Sequence, residues 1–140
     1  MKVDIHHCDK RGNVLRTIWP QKITFRDKSF RIPRGFESDG ASVPRFFWRV
    51  VCPPLDPSAV RAGVAHDYIY RVQPPDWTRK EADEMFLCFL IEDGLSPYRA
   101  RRAYLAVRLF GWIAWLQNRR TLKREEQIRK AQEFWGGGKK

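Results

Sequence analysis

The stretch Gly63-Val64-Ala65-His66-Asp67-Tyr68-Ile69-Tyr70, followed by Thr78-Arg79-Lys80-Glu81-Ala82-Asp83-Glu84-Met85-Phe86, decides how this chain folds and where its chemistry lies. Thr78 and Glu81 have the spacing of a capping box, in which the hydroxyl and the carboxylate each accept a hydrogen bond from the other residue's backbone N–H. A helix is therefore predicted to begin at Arg79 and to stop at Gly94. On that helix Asp83 shares a stripe with Phe86, Leu87 and Leu90, the apolar side that must turn inward. A carboxylate left charged and unpaired there would oppose folding on the scale of a domain's whole net stability, roughly 5–15 kcal/mol, so Asp83 requires a partner.

The preceding segment supplies one. Asp56-Pro57-Ser58 reads as an N-cap followed by proline at the first helical position, and Ala59 to Arg71 reads as helix until Pro74-Pro75 stops it. Ala59, Gly63, His66 and Tyr70 then line one face, with Ala59, Ala62 and Gly63 small enough to admit a second helix closely. The short connection from Val72 to Trp77 makes the two helices antiparallel neighbours, so that His66 meets Asp83. Two readings of that meeting stand. A carboxylate bonded to one imidazole nitrogen fixes the tautomer and leaves the other nitrogen to take a proton, as a general base does. Alternatively the pair, capped by Tyr70, ties two helices together and does nothing more. Asp67, about 100° further round the helix, would hold a cation beside such a base.

Outward from this pair, the N-terminal third reads as β structure. Val3 to Ile5 and Val14 to Ile18 flank the turn-rich Asp9-Lys10-Arg11-Gly12-Asn13, while Ile23 to Phe25 and Phe30 to Ile32 flank Asp27-Lys28-Ser29, giving two hairpins. Pro44 to Val51, rich in aromatics, reads as a short helix packed on them. On the C-terminal side Ser96-Pro97 caps a third helix running to about Asn118, and Leu122 to Trp135 reads as a fourth before Gly136-Gly137-Gly138. The expected architecture is α+β and a single domain over 1–140: 1–45 mainly β, 57–118 a helical core and 119–140 a basic helical tail.

With 43% hydrophobic and 14% aromatic residues the chain is expected to fold rather than remain disordered. Met1-Lys2-Val3-Asp4-Ile5 has no apolar run of the signal-peptide kind and the tract from Leu109 to Leu116 is too short to span a bilayer, so the expected location is a host cytoplasm, with incorporation into a virion open. Three cysteines, Cys8, Cys52 and Cys88, indicate no disulfide framework. His6-His7-Cys8 is no zinc site, because neighbours on a strand point to opposite faces and no second ligand pair follows. A phosphohydrolase built on a His-Asp doublet would need a further histidine and aspartate on flanking helices, which the sequence does not offer.

A net charge of +11 attracts polyanions. Arg99, Arg101, Arg102 and Arg108 stud the third helix, and Arg119, Arg120, Lys123, Arg124, Arg129 and Lys130 follow Phe110, Trp112 and Trp115. Indole and cationic side chains in such proximity suit a bilayer interface. Against this, Leu109 to Leu116 is apolar nearly all round, the pattern of a buried bundle centre, and the basic tail would then dock on another subunit. Nucleic acid is a third class of partner, although no helix-turn-helix, zinc finger or RNA-binding aromatic motif is present.

His66-Asp67-x-x-Tyr70 on one helix, with Asp83 on the next, resembles the active-site signature of the phospholipase A2 superfamily, particularly the disulfide-free forms in parvovirus capsid proteins. Leu55-Asp56-Pro57-Ser58-Ala59 and Ala82-Asp83 match the flanking pattern of those forms. Gly35-Phe36-Glu37-Ser38-Asp39-Gly40-Ala41-Ser42-Val43-Pro44, Ala65 to Tyr70 and Arg79-Lys80-Glu81-Ala82-Asp83 together resemble a family of small phage and prophage proteins of unassigned function, a likeness covering most of Phe25 to Leu116. The phospholipase resemblance implies that His66 activates water, Asp83 orients His66, Tyr70 buttresses Asp83 and Asp67 binds calcium, with anionic phospholipid as substrate. The phage resemblance implies other phage structural proteins as partners. The superfamily's glycine-rich calcium loop has no counterpart here; its place falls to Ser38-Asp39-Gly40-Ala41-Ser42, where Asp39 and the backbone at Gly40 would join Asp67 on the metal. Read locally, the same five residues form a tight turn between strand and helix.

Overall fold

The structure, a computed structural model, describes residues 3–8, 12–38 and 57–136, with side chains described over 15–38 and 57–134. Strands β1 (Val3–Cys8) and β2 (Gly12–Thr17) form an antiparallel hairpin, and β3 (Gln21–Phe25) and β4 (Lys28–Ile32) form a second. The turn of the second hairpin falls earlier than Asp27-Lys28-Ser29: Arg26 takes the positive φ of 56° that a two-residue turn needs, and Lys28 and Ser29 belong to β4.

A short fifth strand, β5 (Glu37–Ser38), lies against the other edge of β2, with Ser38 opposite Leu15. Thr17 puts it there. Its hydroxyl donates to the Pro33 carbonyl at 2.7 Å and accepts from the Phe36 amide at 3.0 Å, and Gly35, at φ 80°, turns the chain back towards β2. Asp39, Gly40, the Pro44 to Val51 segment, Cys52 and Asp56 lie outside the described residues.

Helix α1 (Pro57–Val72) ends at Gln73, ahead of Pro74-Pro75, and α2 (Arg79–Glu92) begins on the expected capping box. The Thr78 hydroxyl accepts from the Glu81 amide at 3.2 Å, and Glu81 accepts from the Thr78 amide at 2.9 Å. The two helices run antiparallel: Arg61 near the start of α1 pairs with Glu92 and Asp93 at the end of α2, whereas Tyr70 reaches Asp83 nearer its start. Ala59 and Ala62 are buried between elements as expected. Gly63 is not needed for the approach, since a Cβ built there would meet nothing within 4 Å.

The C-terminal region differs from expectation. Pro97–Gly136 is one uninterrupted helix, α3, of 40 residues, because Arg119-Arg120-Thr121 contains neither proline nor glycine to end it. It packs through a stripe of mostly small residues, Ala100, Ala103, Val107, Gly111 and Trp115. The tract from Leu109 to Leu116 is therefore not buried all round: Leu109, Trp112, Ile113 and Leu116 are between 41% and 64% exposed on the far side. No helix among the described residues is long and apolar enough to cross a membrane.

The β3–β4 hairpin closes over α1 and α2 through aromatic rings. Phe30 stacks on Tyr68 at 5.4 Å and meets Trp77 edge-on at 5.3 Å, while Phe25 meets Phe89 edge-on at 6.1 Å. Lys28 Nζ reaches Glu81 at 2.7 Å and so fastens β4 to the first turn of α2. This α+β arrangement holds α1 with one side against the strands and the other against α2 and α3.

Candidate functional site

Asp83 is the point at which the three helices meet. It has no solvent exposure, and each of its oxygens is committed. Oδ1 faces α1, where it accepts from His66 Nε2 at 2.8 Å and from the Tyr70 hydroxyl at 2.6 Å. Oδ2 accepts from Arg108 Nη1 of α3 at 2.8 Å and from Arg79 Nη1, one turn back on α2 itself, at 3.3 Å. Arg79 also donates to the main-chain oxygens of Val107 and Arg108, which ties the first turn of α2 to α3.

These contacts set the protonation of the cluster. Burial alone would push the Asp83 carboxyl up, but the bonds from His66, Tyr70 and Arg108 outweigh it and hold the group below the usual carboxylate range. Burial first, and then the charge of Asp83, push the Tyr70 hydroxyl upward, so it stays a neutral donor. The bond to Asp83 pushes the Arg108 guanidinium up in turn. An ionised carboxylate only accepts, so the His66 Nε2 that faces it carries a proton, and in the neutral form of the ring Nδ1 is the nitrogen with a lone pair.

The imidazole is 2% exposed and lies between the rings of Tyr70 and Phe86, with centroids 4.1 Å and 4.9 Å away. Tyr70 is held in turn by Trp115, edge-on at 5.1 Å, and by the bare backbone of Gly111. A Cβ at Gly111 would come within 2.6 Å of the Tyr70 hydroxyl oxygen, so a side chain there would displace the group that steadies Asp83.

Asp67 is a separate feature. It is 2% exposed, and its carboxylate accepts a hydrogen bond from the Ser38 hydroxyl of β5. A calcium ion takes about six to eight oxygens. The described residues bring one carboxylate and one hydroxyl together here, and among them no group of three or more His, Cys, Asp or Glu side chains is placed to hold a metal ion. A full set would have to draw on Asp39 and the backbone at Gly40, both outside the described residues.

Of the residues singled out from the sequence, His66, Tyr70 and Asp83 are brought together and Asp67 lies beside them on α1, bonded to Ser38. Four other residues contact these side chains in ways the sequence reading did not assign, three around Asp83 and Tyr70 and one, Ser38, at Asp67. Arg79 was legible as an i,i+4 partner of Asp83. Arg108 shares the inward stripe of Val107, Gly111 and Trp115, a position that distinguishes it from the exposed arginines around it. Gly111 was a signal too, as a glycine inside a helix otherwise free of them up to Gly136. Ser38 entered the sequence reading only as the first residue of the Ser38–Ser42 segment expected beside Asp67; that its own hydroxyl bonds Asp67 depends on where β5 lands.

A family model described as a protein of unknown function (DUF1353) matches residues 19–107, a span holding His66, Asp67, Tyr70, Arg79 and Asp83 but ending just short of Arg108 and Gly111. The chain is also similar to the uncharacterized protein y4jT of Sinorhizobium fredii (strain NBRC 101917 / NGR234), at 29% identity over 80 residues, which is 57% of this chain and 23% of that protein. The chain thus spans less than a quarter of the length of this curated relative. No solved structure matches. Since the matched span runs from the start of the second hairpin into α3 and takes in most of the described residues, the chain belongs to the DUF1353 family of proteins of unknown function.

Proposed function

We propose that this protein carries a hydrolytic site of the phospholipase A2 type, in which His66 removes a proton from a water attacking an ester bond, Asp83 orients His66 and Tyr70 steadies Asp83. The observation that carries the reading is the bond of 2.8 Å from His66 Nε2 to a buried, ionised carboxylate whose same oxygen is held by Tyr70 at 2.6 Å. That arrangement fixes the ring and directs its basicity to Nδ1, the property a general base needs. Asp67 is the group that the phospholipase resemblance assigns to calcium, a cation able to stabilise the oxyanion formed at the ester carbon. The chain's charge of +11 favours an anionic phospholipid as the substrate. A phage or prophage setting follows from the second resemblance.

The test is hydrolysis of anionic phospholipid vesicles with and without added calcium, for the wild type and for His66→Ala. Turnover that requires His66 while the variant keeps its fold supports the reading. Background hydrolysis in both proteins, together with a lowered melting temperature in the variant, removes it.

Two observations favour a second reading, a noncatalytic virion component. His66 is almost wholly buried, and α3 presents Leu105, Leu109, Trp112 and Leu116 on one exposed stripe with basic residues at both ends. In that case the His66–Asp83 pair holds the helices in place and α3 binds a partner subunit of the particle. Nonspecific nucleic-acid binding through the same cations ranks third, and would show as affinity that falls steeply with salt.

A further inference from the structure

The far side of α3 has no part in the chemistry of His66, yet its pattern is that of a contact surface. Leu105, Leu109, Trp112 and Leu116 follow one another at steps of four, three and four residues and so share one line along the helix, and the first three are each more than half exposed. Tyr98, also exposed, carries the line back one further step, with the Arg102 guanidinium over its ring. The opposite side of α3 is already committed to α1 and α2. Charge frames the stripe. From Gly94 to Arg124 the chain has eight lysine and arginine residues and no aspartate or glutamate. At about 100° per residue, Arg101 and Arg119 fall along one edge of the stripe and Arg102 and Arg120 along the other, and all four are exposed. We infer that this face of α3 docks on an anionic lipid surface, with the leucines and Trp112 entering the boundary between headgroups and acyl chains and the four arginines meeting phosphates around them.

Charge and length decide against other occupants. Two copies of α3 laid face to face would bring Arg101 and Arg102 against the same pair when parallel, or against Arg119 and Arg120 when antiparallel, with no acidic side chain to offset them. A partner helix would need a longer seam. The stripe from Leu105 to Leu116 spans less than two heptads, roughly 16 Å, before Arg119 and Lys123 take the next two positions of the line, whereas a coiled-coil seam is sustained over about three or four heptads. A lipid surface asks for neither register nor length: it takes a short apolar face, an indole ring at headgroup depth and cations on every side. The docking takes its purpose from the hydrolytic reading, since an enzyme acting on phospholipid must reach its substrate, but the binding itself depends on α3 alone.

The experiment is cosedimentation of the full chain with vesicles of ether-linked phosphatidylcholine and phosphatidylglycerol, whose lack of ester bonds separates binding from hydrolysis. The wild type should bind them, bind vesicles of phosphatidylcholine alone far less, and show a blue shift of tryptophan fluorescence on binding. Leu109→Gln/Trp112→Ala should weaken partitioning by at least about tenfold through lost apolar burial. Arg101→Gln/Arg120→Gln should weaken it by about twenty-fivefold, at roughly fivefold for each cation near an anionic surface. All four side chains are exposed, so both variants should keep the wild-type melting temperature. Loss of binding in both variants establishes the surface. Binding that survives the loss of Leu109 and Trp112 and yields only to the loss of charge is adsorption of a basic protein, and overturns the docking; so does a wild type that stays in the supernatant, or one that forms a dimer dispersed by Leu109→Gln/Trp112→Ala. Binding of ether-linked vesicles without hydrolysis of ester-linked ones removes the hydrolytic reading and leaves this one standing. Hydrolysis with binding indifferent to the stripe does the reverse.

Discussion

Asp83 accepts from four donors on three helices, so substitutions around it separate the value of each bond. Asp83→Asn removes the charge and leaves Arg79 and Arg108 facing an amide; breaking a buried charged cluster from one side costs about 3–5 kcal/mol, which urea unfolding should show. Tyr70→Phe deletes one bond to a charged acceptor that keeps three others, and should cost about 2 kcal/mol in the same measurement. Two glycines give opposite expectations although both lie inside helices. Gly63→Ala meets open space and should raise stability by about 0.5–1 kcal/mol through helix propensity. Gly111→Ala pushes against Tyr70 and should lower it by about 1–3 kcal/mol, seen as a drop in melting temperature. At this scale the sequence was informative where helical periodicity alone set the geometry: His66, Tyr70 and Asp83 fall on facing stripes of two short helices joined by a short loop. It was silent where a residue's role depended on a distant element. Arg108 lies among arginines that are mostly solvated, and Ser38 meets Asp67 only because Thr17 lays β5 against β2.

Each element begins or ends on a bond that a short motif encodes, and α2 shows this best. Thr78 and Glu81 exchange bonds across the cap, and Lys28 adds an ion pair at 2.7 Å from β4 that, with the Thr78 amide, holds the Glu81 carboxyl at about 2. Thr78→Ala should cost about 1 kcal/mol by removing the acceptor for the Glu81 amide, as thermal unfolding would register. The end of α2 at Gly94 was readable for the same reason, since a residue at φ 102° favours glycine. The length of α3 was not. A polar stretch without proline or glycine does not break a helix, and Arg119 to Thr121 carries α3 past the helical body for about 60 Å in all, at roughly 1.5 Å per residue. Nor was its sidedness evident. An apolar tract packed through glycine and tryptophan on one face leaves Leu109 and Trp112 on the other, and only the placement of α1 and α2 decides which face is covered.

The molecule as a whole is an α+β arrangement whose helices converge on one carboxylate, and its response to pH follows from that. The folded-state pKa of Asp83 lies below its ordinary value of about 3.9, so the unfolded chain binds more protons near that pH. Its contribution to stability is complete above about pH 4 and is lost as the pH falls through the lower folded value. Unfolding free energy measured from pH 6 downward should therefore decline below about pH 4 in the wild type, and less steeply in Asp83→Asn. The same convergence fixes His66, because a carboxylate held ionised against its burial by bonds from His66, Tyr70 and Arg108 can only accept from the ring. The most direct measurement is the tautomer of His66, read from long-range proton–nitrogen NMR correlations at neutral pH on the folded chain. The proton is predicted on Nε2, with Nδ1 unprotonated and with the preference weakened in Asp83→Asn; a proton found on Nδ1 in the wild type would contradict the account.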